Sequence, residues 1–255
     1  MEIFVYSTKK EASKAAAEKA KQILIKTIDE KGEATFVVAT GASQLNFLEV
    51  LTSFDSIDWS KTTMFHLDEY IGISEDHPAS FRRYLKENFI SKVNKIGEIH
   101  LINGNTDPEK ECKRLNKIIK DKIIDISFVG IGENGHIAFN EPPADFDTDD
   151  PFIIVELDDK SKMQQVGEGW FNSIEEVPSK AITMSVKQIM KSKNIICTVP
   201  DQRKAQAVKN CFGSSEITPN CPASVLKEHK NAFVYLDQGS ASLLFKKSNR
   251  IFRSS

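Results

Sequence analysis

Short apolar runs rich in β-branched and aromatic residues alternate with helical segments along the whole chain. The runs cover residues 2–6, 34–39, 62–67, 99–102, 123–129, 152–157, 181–185, 194–199 and 232–236. Runs of this length, bounded by turn residues, predict strands. Strands that alternate with helices pair mainly in parallel, because each parallel connection needs a crossover. We therefore predict an α/β fold in one domain, residues 1–255: a doubly wound, mainly parallel, Rossmann-like sheet with helices on both faces.

Composition and charge exclude several classes of protein. The 255 residues are 27% charged, yet the net charge is only −2, so the chain lacks the basic footprint of a nucleic-acid partner. No segment approaches the ~20 apolar residues of a membrane span, and Glu2 interrupts any secretory signal, so we expect a cytoplasmic protein without membrane contact. The four cysteines form no CxxC pair and no zinc spacing, which predicts reduced, partly buried thiols at Cys112, Cys197, Cys211 and Cys221.

A glycine-rich segment, GIGENGHIAFNEP at residues 130–142, follows the predicted strand 123–129. Its glycines permit a sharp turn and a close approach of backbone to a ligand. His136 can exchange protons near neutral pH, and Glu141 can fix its tautomer and hold its charge. The alternative is a glycine turn with an incidental histidine.

Three further polar places follow predicted strands, and each has an ordinary alternative. The turn Thr40, Gly41, Ala42 and Ser43 opens a helix and suits a phosphate, although it could be a plain helix cap. Asp68 and Glu69 follow residues 62–67, where solvated loop acids are also common. Lys204 lies in the first turn of a helix, where a bound anion would explain a cation, although a surface lysine is the simpler explanation. All these places should meet at the carboxyl edge of one sheet.

Six motifs occur in an order and spacing that cover nearly the whole chain. They are FHLDEYIGI at 65–73, HPASF at 77–81, LINGN at 101–105, GHIAFNEP at 135–142, VPSKAITMS at 177–185 and QRKA around Lys204. In these motifs the chain resembles the glucosamine-6-phosphate deaminase (isomerase) family, whose wider group includes 6-phosphogluconolactonases. The combination of LDEY with GHIAFNEP points to the deaminase branch.

The resemblance implies conversion of an amino-sugar 6-phosphate to fructose 6-phosphate and ammonia, with no cofactor and no metal. It implies that Asp68 is the proton-transfer base, that His136 opens the sugar ring and that Glu141 orients His136. The turn at residues 40–43 and Lys204 would hold the phosphate of this small-molecule substrate. A homo-oligomer is expected only from the family's habit of assembling.

Two departures from the family pattern leave alternatives open. Asn134 stands where the family usually has an aspartate, so this candidate catalytic position supplies no negative charge to a cationic His136. A phosphate-binding arginine of the family has no counterpart around residues 168–171. A 6-phosphogluconolactonase, a non-deaminating sugar-phosphate isomerase and a degenerate sugar-phosphate sensor are therefore the alternatives. A metal site at His66, Asp68 and His77 ranks lower, and whether residues 161–171 form a lid is undecided.

Overall fold

The computed structural model describes residues 1–244. The strands are β1 Glu2–Tyr6, β2 Ala34–Val38, β3 Thr62–His66, β4 Asp68–Tyr70, β5 Glu98–His100, β6 Ile126–Val129, β7 Phe152–Glu156, β8 Lys180–Met184, β9 Ile195–Val199 and β10 Ala232–Asp237. The α-helices are α1 Lys9–Lys31, α2 Leu45–Thr52, α3 Phe81–Asn88, α4 Pro108–Ile119, α5 Asp159–Gly167, α6 Val186–Met190 and α7 Ala205–Phe212. Short 3₁₀ segments precede α2 and α7, at Ala42–Gln44 and Gln202–Lys204.

The main sheet has seven strands in the order β1-β10-β9-β6-β2-β3-β5, and all neighbouring pairs are parallel. This confirms the predicted parallel α/β sheet. The carboxyl ends of β2, β3, β6 and β9 consequently lie along the same edge, because the strands run in one direction.

Helices cover both faces of this sheet, as the buried side chains of β2 illustrate. Phe36 and Val38 pack into one apolar cluster with the alanine-rich face of α1, whereas Val37 packs into the other with Leu115 of α4. Successive side chains of a strand point to opposite faces, so a strand buried on both sides is apolar throughout. The doubly wound arrangement follows from this pattern.

A second, smaller sheet corrects one part of the prediction. The strands predicted at residues 152–157 and 181–185 exist, but they belong to an antiparallel sheet of order β4-β8-β7 rather than to the main sheet. Leu67 joins the two sheets: its N–H donates to Val38 O at 3.2 Å, and its carbonyl accepts from Met184 N at 2.7 Å. Asp68 therefore begins a strand of the small sheet.

The cysteine prediction is wrong for one pair. Cys211, in α7, and Cys221 form a disulfide with a Cα–Cα separation of 5.6 Å, while Cys112 and Cys197 are buried free thiols. The pairing depends on the packing of α7 against the 3₁₀ segment Pro222–Glu228, which cysteine spacing does not reveal.

The end of the described chain also differs from the prediction. Residues 238–244 form turns instead of the helix predicted from Gly239, and the predicted basic tail lies outside the described residues. Across residues 1–244, every helix is too short or too polar to cross a bilayer.

Candidate active site

The polar segments predicted to meet do lie around one cleft at the carboxyl edge of the main sheet. The cleft has a volume of about 560 Å³, including its open mouth. Its lining includes the predicted site residues Thr40, Gly41, Ala42, Ser43, Asp68, His136 and Lys204. The remaining two, Asn134 and Glu141, contact His136 from behind. Parallel strand direction thus brings together residues from four separate parts of the chain.

The glycine-rich loop requires its glycines for steric reasons. Gly135 has φ +89°, a left-handed conformation that favours glycine. A Cβ on Gly132 would lie 2.3 Å from the His136 ring, and one on Gly130 would lie 2.9 Å from Gln44 Nε2. Gly132 N–H also donates to the His136 carbonyl at 3.0 Å, which closes the turn. The loop therefore holds the imidazole of His136 directly against its own backbone.

His136 is oriented by a hydrogen-bonded group of three side chains. Its Nδ1 lies 3.3 Å from Glu141 Oε2 and 3.1 Å from Ser161 Oγ, and the Ser161 hydroxyl also donates to Glu141 Oε1. Asn134 Nδ2 donates to Glu141 Oε2 at 2.7 Å, while Asn134 Oδ1 accepts from His136 N–H at 3.0 Å. Asn134 thus holds the carboxylate by donating a hydrogen bond, which an ionised aspartate cannot do.

The same contacts decide the charge of Glu141. Burial opposes its ionisation, but His136 and the donors Ser161 and Asn134 outweigh burial and hold the pKa of Glu141 below its usual value. Glu141 is therefore a carboxylate near neutral pH, able to stabilise a positive charge on His136. Sequence analysis missed Ser161, which lies in α5, 25 residues from His136.

Asp68 is the cleft's second ionisable group, and its environment differs from that of Glu141. Only 7% of Asp68 is exposed. Burial, reinforced by the negative charges of Glu69 and Glu141, raises the pKa of Asp68 to about 8. A buried carboxyl group with such a pKa can exchange a proton near neutral pH, as a general base or acid must.

Glu69, by contrast, is a structural residue and not a solvated loop acid. It is fully buried, and its carboxylate accepts hydrogen bonds from Ser80 Oγ, from the backbone N–H of Phe81 and from both the backbone and the Nε of Arg82. These donors lie at the start of α3, so Glu69 satisfies the free N–H groups of that helix. Two adjacent acids in the sequence therefore have unrelated tasks.

The opposite end of the cleft is suited to an anion. Gly41 has φ +99°, and its carbonyl accepts from the Tyr84 hydroxyl at 2.9 Å, which fixes the turn at residues 40–43 ahead of α2. Lys204 is only 3% exposed. Burial lowers the pKa of Lys204, and the nearby Glu168 carboxylate is the largest effect that opposes this. A buried ammonium beside free backbone N–H groups can bind a phosphate.

Residues of α5 and the turn after it form one wall of this end. Gln164, Gln165 and Glu168 line the cleft, and Glu168 lies 3.6 Å from Arg203. Sequence analysis missed Glu168 and Arg203; the only signal was the absence of an arginine near residues 168–171. Segment 161–171 thus covers part of the cleft in this structure.

The two histidines considered for a metal site have other contacts. His66 is fully buried, its Nε2 accepts from Ile102 N–H at 2.7 Å, and burial lowers its pKa to about 3. His77 Nδ1 accepts from Ala79 N–H, and its ring stacks on Phe171. Within residues 1–244, no cluster of His, Cys, Asp or Glu side chains is arranged to hold a metal ion.

Comparison with known proteins gives the family of the chain and agrees with its fold. The profile of the family described as glucosamine-6-phosphate isomerases/6-phosphogluconolactonase matches residues 7–235. A glucosamine-6-phosphate deaminase of Clostridium acetobutylicum is 37% identical over 250 residues, covering 96% of this chain and 100% of the relative. One from Oenococcus oeni is 37% identical over 233 residues, covering 91% of this chain and 95% of the relative.

Solved structures show the same relationship. That of a monomeric glucosamine-6-phosphate deaminase superposes with a TM-score of 0.87 at 32% identity, covering 95% of this chain and all of that one. A 6-phosphogluconolactonase from Shewanella baltica has a TM-score of 0.75 at 18% identity, covering 93% of this chain and 97% of that one, and so shares the fold. The chain belongs to the glucosamine-6-phosphate isomerase/6-phosphogluconolactonase family.

Proposed function

We propose that this protein is a glucosamine-6-phosphate deaminase, which converts glucosamine 6-phosphate and water to fructose 6-phosphate and ammonia. The observation that carries the proposal is the pair of differently tuned acid–base groups in one site: Asp68, whose pKa is raised to about 8, and His136, whose Nδ1 contacts the Glu141 carboxylate. The family relationship to deaminases at 35–37% identity supports the same activity. We also propose that the protein is cytoplasmic.

In the proposed reaction, the phosphate binds at the turn of residues 40–43 and at Lys204. His136, held by Glu141, moves the proton between the C1 hydroxyl and the ring oxygen, so that the ring opens to the aldehyde. Asp68 then removes the C2 proton, which the adjacent carbonyl acidifies, and returns it to C1, while one proton passes from the amino group to the C1 oxygen. The product is a C2 imine, whose hydrolysis by water releases ammonia and leaves the ketose. Fixing the phosphate makes each transfer a positioned, intramolecular step.

Asp68 is also the feature that separates this proposal from a lactonase. Hydrolysis of a lactone needs a base for water, which His136 would supply, but it needs no second proton carrier. A buried carboxyl group facing the cleft has no task in that reaction. The lactonase therefore ranks behind the deaminase. The non-deaminating isomerase would use Asp68 in the same way, and it ranks behind because the relatives at 35–37% identity are named as deaminases.

The test is to mix the purified protein with glucosamine 6-phosphate and to measure ammonia and fructose 6-phosphate together. Equal amounts of both products are expected. Binding of glucosamine 6-phosphate without either product would contradict the proposal and favour the degenerate sensor. Opening of 6-phosphogluconolactone in a parallel assay, without ammonia release, would favour the lactonase. The predicted homo-oligomer is a separate proposal, which light scattering of the purified protein tests.

A further inference from the structure

The end of the cleft that is suited to an anion also carries a carboxylate. Glu168 follows α5, its side chain is 7% exposed, and it lines the same cleft as Lys204. Among the charged groups near Lys204, Glu168 is the largest of those that raise the pKa of this lysine. A negative charge at this position repels an anionic ligand, so its presence requires a physical account.

Glu168 is held mainly by its own segment. Gln164 Nε2 donates to Glu168 Oε1 at 3.0 Å, and Trp170 Nε1 donates to Oε2 at 3.3 Å. Its charged contact with the body of the protein is Arg203, whose Nη2 lies 3.6 Å from Glu168 Oε1. The carboxylate is therefore carried by the α5 segment and directed at a cation beside Lys204.

Arg203 is shared between two carboxylates in this arrangement. Besides Glu168, it lies 3.8 Å from Glu133 Oε1 in the glycine-rich loop. Lys204, the next residue, is buried in the cleft, and within residues 1–244 its ammonium lacks a hydrogen-bonded carboxylate. Asp201 is a third carboxylate that acts on the charge of Lys204, so the two cations of this end of the cleft face three carboxylates and carry no excess positive charge.

We propose that Glu168 is a specificity-determining residue that competes with the substrate's phosphate for Arg203 and Lys204, and that phosphate binding transfers Arg203 from Glu168 to the phosphate. Arginine suits this exchange, because its planar fork binds carboxylate and phosphate oxygens in the same way. Only an anionic ligand displaces the carboxylate, so neutral sugars gain nothing from this end of the cleft. The inference rests on the proposed function for the identity of the sugar phosphate.

The experiment compares Glu168→Gln with Glu175→Gln, which removes the same charge from an exposed position in the following turn. Calorimetry measures the binding of inorganic phosphate and of glucosamine 6-phosphate, and steady-state kinetics measures KM and kcat. Glu168→Gln should lower the Kd of both ligands about tenfold, a change of ~1.4 kcal/mol in binding free energy. In the kinetics, KM should fall and kcat should stay unchanged. Glu175→Gln should bind both ligands like the unmodified protein.

A second variant tests the exchange from the body of the protein. Arg203→Gln should weaken phosphate binding, and it should do so more strongly in the Glu168→Gln background, where Glu133 is the one carboxylate of this pair that still competes for Arg203. Unchanged or weaker phosphate binding in a folded Glu168→Gln protein would overturn the proposal. So would an Arg203→Gln variant that binds phosphate normally in both backgrounds.

Phosphate binding also separates this inference from the proposed function. If glucosamine 6-phosphate is not turned over but Glu168→Gln still tightens inorganic phosphate, the deaminase proposal fails and the inference stands. If turnover occurs and Glu168→Gln leaves phosphate binding unchanged, the inference fails and the deaminase proposal stands.

Discussion

Asp68 is a buried carboxyl group whose ionisation destabilises the folded protein, and this makes the Asp68→Asn variant informative. In the folded state burial raises the pKa of Asp68 from 3.8 to about 8. Between these two pH values the folded protein keeps a proton that the unfolded chain has released. The contribution of Asp68 to the free energy of unfolding therefore falls as the pH rises through this window. Asparagine has the same size as aspartate and cannot ionise, so the free energy of unfolding of Asp68→Asn does not show this fall with rising pH.

The magnitude follows from the difference between the two pKa values. Each pKa unit corresponds to ~1.4 kcal/mol. Between about pH 5.5 and about pH 8.5, the unmodified protein should lose ~3 kcal/mol of stability relative to Asp68→Asn. Altered packing of the amide changes the stability of the variant by the same amount at both pH values, so it does not affect the change with pH. The other ionisable groups are common to both proteins, so their contributions cancel.

The assay is urea unfolding of both proteins at the two pH values, followed by circular dichroism. As the pH rises, the free energy of unfolding of Asp68→Asn should increase relative to that of the unmodified protein. The turnover of the variant should be lower by the ~10²–10⁴-fold expected for loss of a general base. For the unmodified enzyme, kcat/KM should rise with pH up to about 8, because Asp68 acts as a base only when it is ionised. A stability difference that is the same at both pH values would refute the reasoning about burial.

Three other substitutions test separate parts of the structure. Ser161→Ala removes a hydroxyl that contacts His136 Nδ1 and donates to Glu141, so kcat should fall several-fold while the limb set by Asp68 stays near pH 8, whereas Ser161→Thr should restore kcat. Tyr84→Phe removes the hydrogen bond to Gly41 O and should raise KM several-fold, with a loss of ~1 kcal/mol in binding. Asp201 has φ +91°, so Asp201→Gly should raise the free energy of unfolding by ~0.5–1 kcal/mol, measured by urea unfolding. The control is Asp55→Gly, at an exposed position without a positive φ, which should lower the free energy of unfolding.

Each of these three predictions has a result that would contradict it. An unchanged kcat in Ser161→Ala would mean that the hydroxyl does not hold His136 and Glu141 in position. An unchanged KM in Tyr84→Phe would mean that the turn at residues 40–43 is rigid without this bond. A destabilised Asp201→Gly protein would mean that the left-handed backbone at this position carries no strain.

The sequence by itself determined the main sheet and the place of the site. Apolar runs such as residues 34–39 and 194–199 encode strands buried on both faces, and the intervening helices require parallel pairing. Parallel strands end at one edge, so the turn at residues 40–43, Asp68, His136 and Lys204 had to converge once the strands were recognised. The main sheet and the position of the site depend on hydrophobic periodicity and on chain direction, and both can be read from short segments of the sequence.

The tertiary structure alone decided which residues are partners. Glu69 could be distinguished from Asp68 only once the start of α3 lay against it. The antiparallel pairing of Asp68 with Thr183 and the contact of Ser161 with His136 join residues far apart in the chain. Hydrophobic periodicity specifies that a side chain is buried but not what it touches. The charge and protonation of the site follow from those contacts, so they depend on how α5 and the small sheet pack over the cleft.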